Sequence, residues 1–411
     1  MRVLLVCKSK AIEVLGVMYL SAVVKQSGHE ARIVDIREAL TVAKSWNPDF
    51  IGYSVMTGDQ ERFKELNTRL RGNLLHFTAL WGGPHATFFP EDFEEEEGIV
   101  WTGEGENFMA EILGSANKYP NIDSFPWPER EDFPNMPIRD FIASRGCNFN
   151  CGYCYNGAWK KQFPELAAVR ARSAKDVVKE IASTDPKFVY FQDSCFGIEM
   201  NWLRKFSQEY REKVNSPYHC HLRPGMVNEE RTLLLHDSNC VSVKIALETA
   251  SSRLRNLINR GHTSNEDAYV ASGWLRKWGI KLIMQNILGL PTATIEDDLE
   301  TLEVNIKCKP AYSWVSIFQP YPGTELAGYC EKEGIYTGDY SEIGDNFFDK
   351  SVLNIGDVLK EQVAALQRIF AFCIEMQVMP KVEDLTWERL PKFIHTTMRK
   401  VGDSRMFPGI L

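Results

Sequence analysis

The sequence predicts an α/β protein: a doubly wound parallel sheet, then a partial (β/α)6 barrel, then a small C-terminal helical cap. Two observations support this. Short apolar segments typical of strands alternate with amphipathic helical patterns up to about residue 330, and such alternation is typical of parallel sheets. Beyond that point the apolar spacing is helical. The predicted divisions are residues 1–125 for the first domain, 126–137 for a linker, 138–330 for the barrel and 331–411 for the helical region.

Composition excludes several classes of function. The chain has 411 residues, 44% of them hydrophobic and 25% charged, and a net charge of −8, so it has no basic footprint for nucleic acid. No apolar run reaches the roughly 18 residues of a membrane span, and Met1–Val6 is typical of a strand rather than a signal peptide. Ten cysteines without a secretion signal predict a reducing, cytoplasmic location.

In the first domain the strands are predicted at Arg2–Cys7, Ala31–Ile36, Phe50–Val55, Leu75–Trp81 and Ile99–Thr102. Sheets of this kind bind ligands beyond the carboxyl ends of their strands. Glycines and polar residues follow the later strands, which predicts close backbone approach to a ligand, although ordinary turns would use the same residues. The residues concerned are Ser54, Met56, Thr57, Gly82, Gly83, Pro84, His85, Glu104 and Gly105. Four prolines between residues 126 and 137 predict an extended linker.

Three cysteines follow the first predicted barrel strand, Ile138–Ser144. Cys147, Cys151 and Cys154 have C-x3-C-x2-C spacing, so one loop can hold three irons of a cubane cluster and leave the fourth iron open. The alternatives are buried apolar cysteines or a zinc knuckle, which needs a fourth ligand nearby. Cys195 could be that ligand, a thiol facing substrate, or buried filler, and filler is the expected role.

The other barrel strands are predicted at Phe188–Gln192, His219–Leu222, Val241–Ala246, Lys281–Ile287 and Trp314–Phe318. In barrels the site lies at the carboxyl ends of the strands. Chemistry-bearing candidates stand there: Gln192, Asp193, Arg223, Glu248, Leu288, Gly289 and Gln319. Helix caps and surface positions remain the alternative for each polar one.

The cysteine spacing, with Tyr153 before the last cysteine, resembles the radical S-adenosylmethionine (SAM) superfamily. In that family a 4Fe-4S cluster binds SAM at its open iron and reductively cleaves it to a 5′-deoxyadenosyl radical. The resemblance implies that Glu248 binds the ribose hydroxyls and that the backbone at Gly289 packs on adenine. The SAM contacts it implies are Tyr153, Gln192, Asp193, Arg223, Glu248, Leu288, Gly289 and Gln319.

In the first domain, Ser-x-Met followed later by Gly-Gly resembles the cobalamin-binding domain. The resemblance implies cobalamin contacts at Ser54, Met56, Thr57, Gly82, Gly83, Pro84, His85, Glu104 and Gly105. The Asp-x-His-x-x-Gly motif that places histidine on cobalt is missing, because Cys7–Glu13 has no histidine. Cobalamin is therefore expected in a histidine-off form, and His85 is interpreted as a loop residue. The domain could also bind nothing.

Over residues 1–330 the chain resembles the cobalamin-dependent (class B) radical SAM enzymes. This implies methylation of an unactivated carbon in an unidentified substrate, with flavodoxin or ferredoxin as the electron donor. The alternatives are a non-methylating radical SAM enzyme (a cyclase, oxidase or epimerase), with or without cobalamin, and a non-catalytic cobalamin or redox sensor. Hydrogen abstraction needs no general base, so no catalytic residue is assigned.

Overall fold

The computed structural model describes residues 1–73, 76–94, 96–344 and 346–402. The strands are β1 Arg2–Cys7, β2 Glu30–Asp35, β3 Phe50–Ser54, β4 Thr78–Gly82, β5 Ile99–Val100, β6 Arg139–Phe141, β7 Ser144–Arg145, β8 Arg170–Ala171, β9 Val189–Phe191, β10 Tyr218–Leu222, β11 Cys240–Glu248, β12 Lys281–Leu288 and β13 Tyr312–Ile317. The helices are α1 Leu15–Gln26, α2 Ala39–Trp46, α3 Gln60–Arg71, α4 Pro84–Phe88, α5 Glu106–Ile112, α6 Tyr155–Gln162, α7 Ala174–Thr184, α8 Met200–Lys213, α9 Glu229–Asp237, α10 Ser252–Leu257, α11 Asn265–Lys277, α12 Ile295–Cys308, α13 Glu325–Lys332, α14 Asp357–Met376 and α15 Leu390–Gly402.

The first sheet has the order β2-β1-β3-β4-β5 and all its pairs are parallel. Alternate residues of β1 enter different cores: Val3 and Leu5 pack on one face, and Leu4 and Val6 on the other. A strand buried on both faces needs helices on both sides. The doubly wound prediction is therefore confirmed, and the strand order reverses between β1 and β3, where such sheets bind ligands.

The second sheet has the order β13-β12-β11-β10-β9-β6 and is also parallel throughout. The face that packs on the helices is apolar and buried, with Phe191, Val243 and Met284 inaccessible to solvent. The opposite face carries polar, half-buried side chains such as Lys244. The six strands confirm the predicted partial barrel, and α14 packs against β13 as part of the C-terminal helical region.

Several predicted boundaries differ. The single strand expected at Ile138–Ser144 is split into β6 and β7, because the backbone turns after Phe141 and the N–H of Ala143 donates to Asp193 instead of to a neighbouring strand (2.9 Å). The predicted start of the fourth strand, Leu75, lies outside the described residues, as does the end of the helical region, residues 403–411. Among the described residues, no helix has the length and hydropathy to cross a membrane.

A buried carboxylate joins the two domains. Glu13, in the loop between β1 and α1, has no exposed side-chain surface and pairs with Arg130 of the linker and with Arg139 of β6. It also accepts from the N–H of Asp140 (2.7 Å), and Arg130 reaches on to Glu180 of α7 (3.0 Å). Removing one partner of a buried ion pair is strongly destabilising, so this cluster holds the first domain against the barrel.

Candidate functional site

The cysteine loop runs from the end of β7 to the start of α6 and is held by backbone contacts to distant segments. The N–H of Gly152 donates to Ile258 O (3.0 Å), and Gly152 O accepts from the N–H of Leu326 (2.8 Å). Gly146 enters the loop at φ +90°, a conformation that favours glycine. The loop is therefore anchored at both α10 and α13.

Polar donors face the thiols. Arg260 Nη1 lies 3.6 Å from Cys151 Sγ, and Asn156 Nδ2 lies 3.5 Å from Cys154 Sγ. Burial raises the pKa of Cys154, while hydrogen bonds from Asn156 oppose that shift. Such donors orient and stabilise thiolate ligands.

Within the described residues, no three His, Cys, Asp or Glu side chains are grouped to hold one metal ion. A single zinc would draw its sulfur ligands to about 2.3 Å from one centre, whereas a cubane binds each thiolate to a different iron. The assignment of Cys147, Cys151 and Cys154 to a cluster therefore stays a prediction from their spacing. Cys195 is buried with its Sγ 3.1 Å from Met226 Sδ, which supports the filler interpretation.

Glu248 stands at the end of β11 beside this loop. The pairing between β11 and β12 shifts by one residue just before it, and Glu248 has φ +68°, an uncommon conformation for a non-glycine residue. Its Oε1 accepts from the Tyr153 hydroxyl (2.7 Å), and Arg260 Nη1 lies 3.4 Å from the same hydroxyl. Burial raises the pKa of Glu248, and the nearby Arg260 opposes the shift.

Among the residues that the structure describes, several buried polar atoms of Glu248 and its neighbours have no hydrogen-bond partner: Glu248 Oε2, Arg223 Nε and Nη1, and Arg260 Nε. Beyond the end of β13, Gln319 Oε1 also has none. Arg223 is held by the Phe149 ring, 3.6 Å from its guanidinium, and by His262 Nε2, 2.6 Å from Nη2. Unsatisfied buried polar atoms are rare in proteins. Acceptors and donors of this kind fit the ribose hydroxyls, ammonium and carboxylate of SAM.

The other predicted SAM residues have different surroundings. Both carboxylate oxygens of Asp193 are engaged, by the Ala143 N–H and by the Ser144 hydroxyl at 2.5 Å. Leu288 is buried in the core against α14, and Gly289 N donates to Asp298 (3.0 Å). Asp193 and Leu288 thus have structural contacts, and a role of either toward SAM stays a prediction.

A cavity of about 360 Å³ lies between the carboxyl ends of the first sheet and the cysteine loop. From the first domain it is lined by Ser54, Gly82, Gly83, Pro84, Glu104 and Gly105, all named from the sequence. From the barrel side it is lined by Ser144, Arg145, Gly146, Tyr155, Asn156, Trp159, Gln192 and Ser194. A Cβ on Gly83 would lie 2.7 Å from Val55 N, so only glycine fits this turn.

Three residues predicted to contact cobalamin do not line this cavity. Met56 is exposed. Thr57 Oγ1 lies 3.1 Å from Nδ1 of His85, whose Nε2 lies 2.8 Å from Asp92. Both ring nitrogens of His85 are therefore engaged. The interpretation of His85 as a loop residue is wrong, because it lies buried in α4, and cobalamin contact by these three residues stays a prediction.

An ion cluster at the cavity was missed from the sequence. Arg145, two residues before Cys147, pairs with Glu106 and with Glu104 (3.2 Å). Arg170 binds Glu104 through two nitrogens, at 2.5 and 2.9 Å. The position of Arg145 beside the cysteine motif was the available signal, whereas nothing in the sequence pairs Arg170 with Glu104. Arg260 was also missed as a donor to Cys151, whereas the sequence already suggested Asn156 as a residue able to offer N–H groups to sulfur.

Two family models match the chain, one over most of the first domain and one over most of the barrel. A family model described as the B12 binding domain matches residues 1–113, and one described as the radical SAM superfamily matches residues 141–304. Together these matches include the glycine-rich strand ends and the cysteine loop described above.

Curated relatives and solved structures agree with this. The chain is 24% identical to "Uncharacterized methyltransferase PH0819" of Pyrococcus horikoshii, over 77% of this chain and 78% of that protein. It is 19% identical to cytidylyl-2-hydroxyethylphosphonate methyltransferase of Streptomyces wedmorensis, over 87% of this chain and 85% of that protein. A solved structure of the radical SAM methyltransferase TsrM from Kitasatospora setae, with cobalamin and a 4Fe-4S cluster bound, is also similar. The TM-score is 0.68 at 15% sequence identity, over 81% of this chain and 75% of that chain. The cobalamin-dependent radical enzyme OxsB matches with TM-score 0.64, 14% identity and coverage of 96% and 71%. These structural likenesses show the fold.

Proposed function

We propose that this chain, which belongs to the cobalamin-dependent radical SAM enzymes, transfers a methyl group to an unactivated carbon of its substrate. One observation carries the proposal: a single cavity is lined both by the glycine turns of the first domain and by the residues around Cys154. A cofactor on the first domain would therefore face a cluster held by the loop. The curated relatives named as methyltransferases support the same reaction.

Named residues would hold each group. Cys147, Cys151 and Cys154 would bind the cluster. Glu248, Arg223 and Gln319 would bind SAM through their unpartnered atoms. Cobalamin would lie against the turn at Gly82 and Gly83, in a histidine-off form, since no histidine is among the cavity-lining residues that the structure describes. When bound, these groups supply the electron, the hydrogen-abstracting radical and the methyl group.

The chain's own residues position and shield these groups. Tyr153 fixes Glu248 through its hydroxyl, and Arg260 holds the end of β11 by donating to Ala246 O. Tyr155 and Trp159 of α6 line the barrel side of the cavity with aromatic rings. We also propose reduced flavodoxin or ferredoxin as the electron donor, in a cytoplasmic compartment, because all ten cysteines are free thiols.

The test is made on protein purified without oxygen and reconstituted with iron, sulfide and hydroxocobalamin. We expect about four irons and one cobalt per chain after desalting, as a 4Fe-4S cluster requires. Cys147→Ala should lose iron, whereas Cys373→Ala, which changes a buried cysteine of α14 in the core against β13, should keep it. With a reductant, the label of methyl-labelled SAM should appear in methylcobalamin.

The outcomes separate the alternatives. Iron without cobalt, or SAM cleavage without label on cobalt, would contradict methyl transfer and favour a non-methylating radical SAM enzyme. Intact cofactors without any SAM cleavage would favour a sensor. Full iron content in Cys147→Ala would contradict the cluster assignment.

A further inference from the structure

The inner face of the barrel carries a row of polar side chains across three neighbouring strands, before the strand ends at which most of the SAM-contact candidates lie. Strand register places Tyr190 of β9 beside His219 of β10, which lies beside Ser242 of β11. One step along the strands, His221 lies beside Lys244. Tyr190, His221 and Lys244 are all partly accessible to solvent, whereas alternate residues of the same strands are buried against the helices. The row therefore borders an open lumen rather than the packed core.

Lys244 is the cation of this row. Its Nζ donates to the Tyr190 hydroxyl (3.2 Å), which also lies 2.9 Å from His221 Nε2. No carboxylate within the described ranges lies in salt-bridge distance of Lys244, and two of its three donors have no hydrogen-bond partner there. Nearby, His219 Nδ1 lies 2.7 Å from the Ser242 hydroxyl, while its buried Nε2 has no partner.

The neighbouring groups do not neutralise this charge. Burial and the Lys244 ammonium lower the pKa of His219 to about 4 and of His221 to about 3, so both rings are neutral near pH 7. The acid that acts on Lys244 through space is Glu248, which lies beyond salt-bridge distance of Lys244 and accepts from the Tyr153 hydroxyl. Partly buried charges in proteins are usually paired, so Lys244 lacks an anion.

An aromatic wall stands beside the ammonium. The Trp314 ring centroid lies 5.3 Å from Lys244 Nζ, and the Phe348 ring lies 5.4 Å from Trp314. Phe347 packs on Phe348 at 4.6 Å, and its carbonyl accepts from the N–H of Ile317 (2.8 Å). This contact fastens the aromatic segment along β13, the edge strand of the sheet, so the wall borders the lumen next to the cation.

We propose that the lumen binds the substrate through an acidic group, a carboxylate or a phosphate, at Lys244 Nζ, with the apolar body of the substrate against Trp314. That the bound acid is the substrate rests on the proposed function, whereas the binding of an acid at Lys244 does not. Lys244 would thereby set both substrate class and orientation.

The experiment compares phenylacetate with phenylacetamide, which share a ring and differ in charge, by saturation-transfer NMR on the anaerobic holoenzyme with SAM bound. Phenyl phosphate is the second acid. We expect each acid to bind at least about tenfold more tightly than the amide, as a charge-assisted contact implies. Lys244→Met should abolish the preference and Lys244→Arg should retain most of it. The matched control, Lys277→Met, removes a lysine on the outer surface of α11 that pairs with Glu229, and should change nothing.

Charge reversal gives a second test: Lys244→Glu should prefer benzylammonium to phenylacetate. The proposal is overturned if the acids and the amide bind equally, if no acid binds at millimolar concentration, or if Lys244→Met keeps the preference. A weaker affinity of Lys244→Met for SAM itself would also overturn it, because Lys244 would then serve SAM. Since the readout is binding, failure of methyl transfer would leave the acid site standing, and the two failures are distinguishable.

Discussion

Replacing Glu248 with Gln tests the SAM site directly. In the structure Oε1 of Glu248 accepts from Tyr153, and the buried Oε2 has no hydrogen-bond partner in the described part of the chain. Glutamine keeps an oxygen for the Tyr153 hydroxyl and replaces the free acceptor with a donor. A hydrogen bond to a charged group contributes about 1.5–3 kcal/mol, and about 1.4 kcal/mol is a tenfold change in affinity. We therefore expect the Kd for SAM to rise by about 10- to 100-fold.

Calorimetric titration of the anaerobic, reconstituted enzyme with SAM measures this change. Iron and cobalt contents should stay at wild-type values, because Glu248 holds neither the cluster nor the cavity at Gly83. Glu303→Gln is the matched control, since Glu303 is half exposed on α12 and pairs with Lys307 one turn away. A Kd within about twofold of wild type would refute the assignment of the unpartnered oxygen to the ribose.

Three further predictions concern the domain joint and the lumen. Arg145→Met leaves Glu106 without its buried cation, so cobalamin retention after desalting should fall at least about tenfold, in line with the cost of breaking a buried pair; unchanged retention would contradict this. Glu13→Gln weakens the contact with Arg130, so the free energy of unfolding measured in urea should fall by about 3 kcal/mol. An unchanged midpoint of the urea transition would contradict this. Because burial lowers the pKa of His219 to about 4 from its ordinary 6.5, its contribution to stability is present above pH 6.5 and is lost as pH falls toward 4. In His219→Gln the free energy of unfolding should therefore fall less steeply with decreasing pH in this range, by roughly 1.4 kcal/mol per pH unit. The same pH dependence in variant and wild type would contradict the prediction.

Much of the fold was predictable because its signals are local. The strand–helix alternation predicts both parallel sheets, whereas the order β2-β1-β3-β4-β5 is one of several that right-handed crossovers allow. The cysteine spacing is likewise local, and so are the glycine turns at Gly82 and Gly83 that line the cavity. Each of these features needs only residues that are close in sequence.

The remaining features depend on contacts between distant segments. Lys244 is one of many lysines in the sequence, and only strand register places it between Tyr190 and Trp314. The pairing of Arg145 with Glu106 joins residues 39 positions apart. For Asp193 the sequence suggested a role that the contacts do not require. Its position at a strand end predicted ligand binding, whereas its carboxylate oxygens accept from the Ala143 N–H and the Ser144 hydroxyl. Sequence identifies residue types that suit a site, and tertiary packing decides which of them have free atoms.

The loop that lacks a histidine shows how fold and cofactor chemistry are connected. In cobalamin-binding domains that the first domain resembles, the stretch corresponding to Cys7–Glu13 carries the histidine for cobalt. Here its last residue, Glu13, is withdrawn from solvent and bound between Arg130 and Arg139. Moving that residue toward the cavity would leave both arginines without this buried carboxylate, at a cost of about 3–5 kcal/mol. The loop thus holds the first domain against the barrel through Glu13.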